Sequence, residues 1–272
     1  MPKMKLELLD RLRSVKLFLL DLDGTVYLGS EPITGAIEFV ENLKRRGIDY
    51  LFVTNNSSKA ASDYVKKLSG MGFPATIGQV LTSGEVTGWY ISEKKPGARL
   101  FVVGTGSLKK ELAAYGLQVA DDPSAGCDYV VAGFDRELTY DKLLVAGKLL
   151  ADGVPFIATN PDLVCPVGAK RYIPDCGSIC VLLENATGRT PMFIGKPHTK
   201  MIDYIRVRRG IHPSATAIIG DRLYTDIALG CNASIMSICV LSGESDRTAV
   251  ARSSYAPDLV VESVAELNRY FK

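Results

Sequence analysis

Short apolar runs alternate with amphipathic segments along most of this 272-residue chain, and this alternation restricts the fold more than any other feature. The apolar runs are rich in Val, Ile, Leu and Phe and have the length of buried strands. They cover residues 16–20, 50–53, 100–103, 129–131, 155–157, 217–219 and 235–240. Strands that are separated by helices usually pair in parallel, so the pattern predicts an α/β protein built from βα units around a parallel sheet.

The composition excludes several classes of protein. Hydrophobic residues make up 47% of the chain and charged residues 23%, which suits one large core or two modest ones and argues against disorder. The net charge of +2 provides no basic field for nucleic acid or acidic lipid. No apolar run reaches the roughly 18 to 20 residues of a membrane helix. Because the start of the chain lacks a secretion signal and the six cysteines are scattered, we expect a soluble, cytoplasmic protein with reduced thiols.

Two carboxylates come directly after the first predicted strand. Asp21 and Asp23 are separated by one residue, and Gly24 behind them permits a tight turn. In open α/β sheets, ligands bind beyond the carboxyl ends of the strands. Asp and Gly are also ordinary turn residues, so this segment alone is explained equally well by a structural turn.

Further polar residues follow three other predicted strands. Thr54 and Asn55 follow the second strand, Lys196 follows the MFIG segment, and Asp221 and Asp226 come after AIIG. Taken singly, these residues have simpler explanations as a helix cap, a surface lysine and turn residues. Four strands that all end in groups suited to phosphate or a divalent cation instead favour one assembled site.

The segments LLDLDGTVYLG, FVTNNSS, IGKP and IGDRLYTDI, in this order, resemble the four signature motifs of the haloacid dehalogenase superfamily. The residues of these motifs are similar to those of its NagD-like, p-nitrophenyl-phosphatase-like branch, and the resemblance covers nearly the whole chain. It implies a doubly wound parallel-sheet core with a large α/β cap inserted between the second and third motifs. We therefore predict a catalytic core over residues 1–79 and 187–272 and a substrate-selecting cap over residues 80–186.

The resemblance also implies a magnesium-dependent phosphatase that acts through an aspartyl-phosphate. Asp21 would be the nucleophile, and Asp23 would serve as general acid and then as general base. Asp21 and Asp221 would bind Mg²⁺ through their side chains and Asp23 through its backbone carbonyl. Asp226 would hold a water molecule of the ion or stand just outside it.

Four residues would contact the phosphoryl group. The Thr54 hydroxyl would bind a phosphate oxygen with help from the backbone near Asn55, and Gly24 would lie against the same group. Lys196 would neutralise the nucleophile and the phosphoryl group together. The expected partner is a small phosphorylated metabolite, such as a sugar phosphate, a nucleoside monophosphate, phosphoglycolate or p-nitrophenyl phosphate, and relatives of this kind often form homodimers through their caps.

The alternatives are other proteins that use the same residues. A phosphoacceptor signalling domain or a non-catalytic phosphate-binding protein could share the fold, but the first lacks the Asp-x-Asp pair and a large insertion. A haloacid dehalogenase has no use for Asp23 as an acid, and a cation pump requires membrane helices. In the cap, Lys170 and Arg171 are interpreted either as contacts to a second acidic group of the substrate or as solvated surface charge.

Overall fold

The computed structural model of the chain describes residues 2–167 and 171–271. These residues form two compact units. The first unit contains the chain up to Val53, Tyr64–Leu81 and the chain from Ile205 onward. The second unit contains Thr54–Asp63 and Thr82–Tyr204 and therefore interrupts the first unit twice along the sequence.

Helices and strands alternate along most of the described chain. The strands are β1 (Leu17–Leu20), β2 (Tyr27–Leu28), β3 (Glu31–Pro32), β4 (Asp49–Thr54), β5 (Val80–Thr82), β6 (Arg99–Val103), β7 (Gln118–Val119), β8 (Tyr129–Ala132), β9 (Phe156–Ala158), β10 (Val164–Pro166), β11 (Tyr172–Pro174), β12 (Met192–Phe193), β13 (Thr216–Gly220), β14 (Met236–Val240) and β15 (Leu259–Val261). The α-helices are α1 (Pro2–Ser14), α2 (Ala36–Arg45), α3 (Ala61–Gly70), α4 (Ser83–Lys94), α5 (Gly106–Ala113), α6 (Tyr140–Ala151), α7 (Cys176–Thr187), α8 (Lys200–Arg209), α9 (Ala228–Ala233), α10 (Arg247–Arg252) and α11 (Val264–Leu267). Within the described part of the chain, every helix is too short or too polar to cross a bilayer.

A six-stranded sheet with the order β15-β14-β13-β1-β4-β5 forms the centre of the first unit. Strand β1 pairs in parallel with both β4 and β13, and β13 continues in parallel to β14 and β15. The chain thus adds β4 and β5 on one side of β1, and β13, β14 and β15 are added later on the other side of β1. The direction of winding reverses between β1 and β13, and such a reversal creates the crevice in which doubly wound sheets bind ligands.

The central strand of this sheet is apolar on both faces. All four residues of β1 are fully buried, as expected for a parallel strand that is covered by helices on each side. On one of these sides α2 presents Phe39, which meets the rings of Phe18 and Phe271 edge to face. The helical spacing of Ala36, Phe39, Val40 and Leu43 explains why this helix buries one face only.

A second parallel sheet, with the order β12-β9-β8-β6-β7, forms the centre of the second unit. Its core includes Phe101, Val130 and Phe134 from the sheet side and Ile179 and Leu183 from helix α7. The thiols of this helix, Cys176 and Cys180, are buried in the same core. The unit therefore has its own complete hydrophobic core and is an α/β fold in itself.

The structure confirms the predicted α/β class with a doubly wound parallel sheet and a second, inserted α/β region. All seven predicted apolar runs contain strands and the MFIG segment contains β12, whereas β2, β3, β5, β7, β10, β11 and β15 were not predicted. The second unit extends from Thr82 to Tyr204, beyond the predicted cap at residues 80–186, and includes Thr54–Asp63. Hydrogen bonds that hold Asn55 to Lys196, described below, explain why these two segments belong to the same unit.

Candidate active site

Three carboxylates converge at the reversal of the first sheet. Asp21 directly follows β1, Asp221 directly follows β13, and Asp226 lies in a short π-helical turn over Leu223–Ile227. One oxygen atom of each residue lies within 4.8 Å of an oxygen of the other two. Asp221 and Asp226 are buried, so their charges are poorly screened by water. Three ionised groups at this distance repel one another unless a cation or protons compensate their charge.

Asp221 shows the cost of this arrangement most clearly. Its Oδ2 atom accepts a hydrogen bond of 2.7 Å from the backbone N–H of Glu244. Its buried Oδ1 atom has no hydrogen-bond donor within residues 2–167 and 171–271. Burial, together with the charges of Asp21 and Asp226, raises the pKa of Asp221 well above its ordinary value. A buried carboxylate oxygen without a donor, beside two other carboxylates, fits a hard divalent cation such as Mg²⁺.

Three glycines allow the carboxylates to lie so close to the backbone. A Cβ atom on Gly24 or Gly243 would overlap the carboxylate of Asp221, and a Cβ on Gly220 would overlap that of Asp226. Gly24 also has a φ of +87°, a conformation that other residues rarely adopt. The requirement for glycine at position 24 is therefore explained by its packing against Asp221, and the predicted contact of Gly24 with phosphate stays a prediction.

Asp23 has an environment that favours its protonated form. Burial raises its pKa, and the neighbouring charge of Asp21 acts in the same direction. The positive charges of Lys67 and Arg222 and a hydrogen bond from the backbone of Gly29 act in the opposite direction but do not cancel the effect. A carboxyl group whose pKa is raised retains its proton at higher pH, as a general acid requires.

The turn after β13 holds Asp226 and Arg222 in defined positions. The Oδ2 atom of Asp226 accepts hydrogen bonds from the backbone N–H of Arg222 at 3.3 Å and from the Thr225 hydroxyl at 3.4 Å. The Arg222 guanidinium forms an ion pair of 3.0 Å with Glu244. Glu244 was not predicted from the sequence, because its N–H reaches Asp221 only after the chain has formed β14 and returned to the same edge of the sheet.

The second unit contains a different kind of polar group, centred on Asn55. The Oδ1 atom of Asn55 accepts a hydrogen bond of 2.9 Å from the backbone N–H of Lys196, and its Nδ2 atom donates one of 2.9 Å to the Lys196 carbonyl. The same Nδ2 atom lies 3.2 and 3.3 Å from the two carboxylate oxygens of Asp162. The preceding residue, Thr54, accepts a hydrogen bond of 3.1 Å from the N–H of Asn56 through its hydroxyl.

Buried hydroxyl and amide groups fix the rest of this loop. The Ser57 hydroxyl lies 2.8 Å from the Thr159 hydroxyl and accepts a hydrogen bond of 2.9 Å from the backbone N–H of Phe134. The Asn55 carbonyl accepts hydrogen bonds of 2.7 Å from both Ser83 and Asn160. A backbone N–H beyond the end of β8 and side chains beyond the end of β9 thus hold the loop after Thr54, and no local signal in the sequence indicated these contacts.

The predicted site residues fall into two groups. Asp21, Asp23, Gly24, Asp221 and Asp226 belong to the first unit, and Thr54, Asn55 and Lys196 belong to the second. Within the first unit, Asp21, Asp221 and Asp226 lie together and Gly24 packs against Asp221, and within the second unit, hydrogen bonds join Asn55 to Lys196. In the predicted cap, Arg171 is exposed, and Lys170 lies outside the described residues.

Comparison with known proteins relates the whole chain to one family. Residues 18–118 match the family model of haloacid dehalogenase-like hydrolases, and residues 193–267 match a second model described as HAD-hydrolase-like. An acid sugar phosphatase of Staphylococcus aureus is 36% identical over 262 residues, which are 95% of this chain and 100% of that protein. The 5′-nucleotidase YutF of Bacillus subtilis is 35% identical over 255 residues, which are 94% of this chain and 98% of that protein.

A solved structure of a related phosphatase has the same fold as this chain. The 4-nitrophenylphosphatase of Thermotoga maritima superposes with a TM-score of 0.91 and 41% identity, over 97% of this chain and 99% of that one. Both the sequence relatives and this structure are covered almost completely, so the similarity is not confined to one unit. The chain therefore belongs to the haloacid dehalogenase-like hydrolases and is a phosphatase of their NagD-like, p-nitrophenyl-phosphatase-like branch.

Proposed function

We propose that the protein is a magnesium-dependent phosphatase that hydrolyses small phosphate monoesters through a covalent phosphate on Asp21. The observation that supports this best is the convergence of Asp21, Asp221 and Asp226, whose oxygens lie within 4.8 Å of one another at the reversal of a doubly wound sheet. The donor-free Oδ1 atom of Asp221 adds a ligand position that protein groups leave unfilled in the described part of the chain.

Asp21 and Asp23 carry the two chemical steps of this proposal. In the first step, an oxygen of Asp21 attacks phosphorus, the bond to the leaving oxygen breaks, and Asp23 gives its proton to that oxygen. In the second step, Asp23 takes a proton from a water molecule that attacks phosphorus, and the bond between phosphorus and Asp21 breaks. The raised pKa of Asp23 supports its role as the acid.

The remaining residues bind and neutralise the phosphoryl group. The Thr54 hydroxyl and the backbone beside Asn55 bind phosphate oxygens, and Lys196 supplies a fixed positive charge. Asp21, Asp221 and the Asp23 carbonyl would hold Mg²⁺, with Asp226 beside it. When bound, the ion neutralises negative charge on the phosphate oxygens and on the carboxylates around it.

The proposed substrate class is supported by what the differently named relatives have in common. They include a sugar phosphatase, a 5′-nucleotidase and a nitrophenylphosphatase, which share only the phosphate monoester. A panel of sugar phosphates, nucleoside monophosphates, phosphoglycolate and p-nitrophenyl phosphate, ranked by kcat/KM, identifies the preferred leaving group. Release of phosphate that requires Mg²⁺ and stops with chelator is the expected result, and full activity in excess chelator would contradict the role of the ion.

The Asp23→Asn variant tests the mechanism and separates it from the alternative of a phosphate-accepting or phosphate-binding protein. Nitrophenolate leaves well without a proton, whereas an alkyl alkoxide does not, and general acid catalysis contributes about 100- to 10,000-fold. With p-nitrophenyl phosphate the variant should release about one nitrophenolate per active site in a burst and then turn over slowly. An equal loss for alkyl and aryl phosphates without a burst would show that Asp23 does not move protons.

The proposed protein is a cytoplasmic homodimer. The six cysteines are all free thiols, which supports a reducing, cytoplasmic environment. A homodimer is supported by apolar side chains that remain exposed on helices α6 and α7 of the second unit, among them Tyr140, Leu144, Val181 and Leu182. Light scattering after gel filtration distinguishes a dimer from a monomer, and fractionation of cells tests the location.

A further inference from the structure

We propose that Asp162 is a positioning residue that holds Lys196 in place through the side chain of Asn55. This inference rests on the proposed phosphatase function, in which Lys196 is the fixed cation. All three residues belong to the second unit, and Asn55 and Lys196 are 6% and 2% exposed. Asp162 lies in the turn after β9 and was not among the residues predicted to form the site.

The amide of Asn55 binds both backbone groups of Lys196. Its Oδ1 atom accepts the Lys196 N–H and its Nδ2 atom donates to the Lys196 carbonyl, each at 2.9 Å. One side chain therefore fixes the backbone from which the lysine side chain extends. The approach is close, because a Cβ on Gly195 would come within 2.6 Å of Asn55 Oδ1. This pairing requires the amide to point its oxygen at an N–H and its nitrogen at a carbonyl.

The carboxylate of Asp162 selects this orientation of the amide. Its two oxygens lie 3.2 and 3.3 Å from Asn55 Nδ2, where they attract the donor group. If the amide of Asn55 rotated by half a turn, its Nδ2 would meet the Lys196 N–H, and its oxygen would meet both the Lys196 carbonyl and the Asp162 carboxylate. Because hydrogen bonds to charged acceptors are stronger than neutral ones, Asp162 makes the reversed orientation especially unfavourable.

The turn that carries Asp162 is itself held in place. The N–H of Asp162 donates to Asn160 Oδ1 at 3.0 Å, and the N–H of Gly177 donates to the Asp162 carbonyl at 2.8 Å. Asn160, which is fully buried, also donates to the Asn55 carbonyl at 2.7 Å. The turn therefore contacts Asn55 at two points, its side chain through Asp162 and its backbone through Asn160.

The central experiment combines the Asp162→Ala and Asn55→Ala variants with the double variant. A misplaced catalytic group commonly costs on the order of 100-fold, so D162A should lower kcat/KM for p-nitrophenyl phosphate by about 10- to 100-fold. D162A should add little in the N55A background, because the proposed effect of Asp162 on Lys196 passes through the side chain of Asn55. D162N should restore most of the activity, since its amide oxygen can accept from Asn55 Nδ2.

Asp128→Ala is the matched control. The carboxylate of Asp128 also accepts a backbone N–H, that of Arg99 at 2.8 Å, but it precedes β8 and so lies at the opposite edge of the same sheet. D128A should retain the kcat/KM of the wild type. If D162A does not fold, Asp162→Ser, whose side chain is too short to reach Asn55, replaces it with the same expected loss.

Amide hydrogen exchange of Lys196, measured by NMR on protein labelled with ¹⁵N-lysine, gives a readout that does not depend on activity. Exchange of this N–H should be about tenfold faster in D162A than in the wild type or D128A, because its acceptor has lost a fixed orientation. A folded D162A with wild-type kcat/KM, or with the same loss in the N55A background, would overturn the inference. A wild type that exchanges as expected but lacks phosphatase activity would instead contradict the proposed function.

Discussion

The polar groups of the two units differ in how well their charges and hydrogen bonds are compensated. In the first unit, Asp21, Asp221 and Asp226 bring like charges within 4.8 Å, and Asp221 Oδ1 is without a donor among the described residues. In the second unit, the amide of Asn55 has partners for its oxygen and its nitrogen, and Ser57 is satisfied in the same way. Both arrangements combine buried with partly buried side chains, so the difference lies in their electrostatics and not in their exposure.

This difference indicates that the polar groups of the two units have different functions. A group of repelling carboxylates is costly without a cation and becomes favourable when a cation binds, so the first unit is organised to take up an ion. A network whose donors and acceptors are paired is rigid without any ligand, so the second unit is organised to hold a loop and a lysine in fixed positions. The cost of an empty ion site should therefore appear in the stability of the first unit and not of the second.

The largest effect is expected from Asp21→Asn, which breaks the carboxylate group at its proposed nucleophile. Removal of a nucleophile typically lowers kcat by about four orders of magnitude or more, so turnover of p-nitrophenyl phosphate should nearly vanish. Because one of the repelling charges is lost, the metal-free variant should also unfold at a higher temperature than the wild type. Asp10→Asn, the same change at an exposed position in α1, should alter neither quantity; turnover of D21N within tenfold of the wild type would contradict the role.

A pH-dependent effect is expected in the second unit, where the side chain of Glu111 is a largely buried carboxyl group. Burial raises its pKa from 4.5 to about 7, although the Thr82 hydroxyl donates to it at 2.8 Å. Between these two values the folded protein retains a proton that the unfolded chain has lost, so the free energy of unfolding should fall as the pH rises. The total decrease is about 3 kcal/mol, and it is complete above the folded pKa.

Glu111→Gln tests this effect, because glutamine keeps an acceptor for Thr82 and cannot ionise. Denaturant unfolding at pH 5 and pH 8.5 in chelator should show a shallower loss of stability for E111Q than for the wild type. Glu137→Gln serves as the control, since Glu137 is an exposed carboxylate of the same unit that accepts the N–H of Gly106. The same pH dependence in E111Q and the wild type would show that Glu111 does not carry the effect.

Magnesium should stabilise the wild type through the carboxylates of the first unit. At about 100 times its Kd, a ligand that binds only the folded state adds about 2.7 kcal/mol. Asp221→Asn should lose this gain in stability. In chelator the variant should be more stable than the wild type, because the raised pKa of Asp221 shows that the folded protein disfavours its ionised form. Thermal unfolding with Mg²⁺, with EDTA and with NaCl of equal ionic strength measures both effects, and an undiminished Mg²⁺ gain in D221N would exclude Asp221 as a ligand.

The smallest effect compares two neighbouring serines in the loop of the second unit. Ser57→Ala removes the acceptor of the buried Phe134 N–H and one of the partners of the Thr159 hydroxyl, and leaving a buried donor unpaired costs about 1 to 3 kcal/mol. Ser58→Ala removes a hydroxyl whose partner in the described part of the chain is Asn56 Oδ1, in the same loop, and should cost less than about 1 kcal/mol. Denaturant unfolding of the two variants side by side checks the order, and equal losses would show that Ser57 does not anchor the loop.

The parts of this protein that follow from its sequence are those encoded by local pattern. Apolar runs of strand length placed β1, β4 and β13, and the polar residues after them placed Asp21 and Asp221 at one edge of a parallel sheet. The convergence of these two carboxylates required only that parallel strands end at the same edge. The short strands β5 and β15 carry too few residues for a clear pattern of this kind.

Contacts between distant segments were decided by the tertiary structure alone. Neither Asp162 nor Glu244 belongs to a motif, yet one orients Asn55 and the other donates to Asp221 because the chain returns to the same place after a further strand. Burial likewise distinguishes Glu111 from the exposed Glu137, although the two residues are chemically the same. Residue types and their spacing determine which chemistry is available, whereas hydrogen-bond partners and pKa values depend on the atoms that packing brings within a few ångströms.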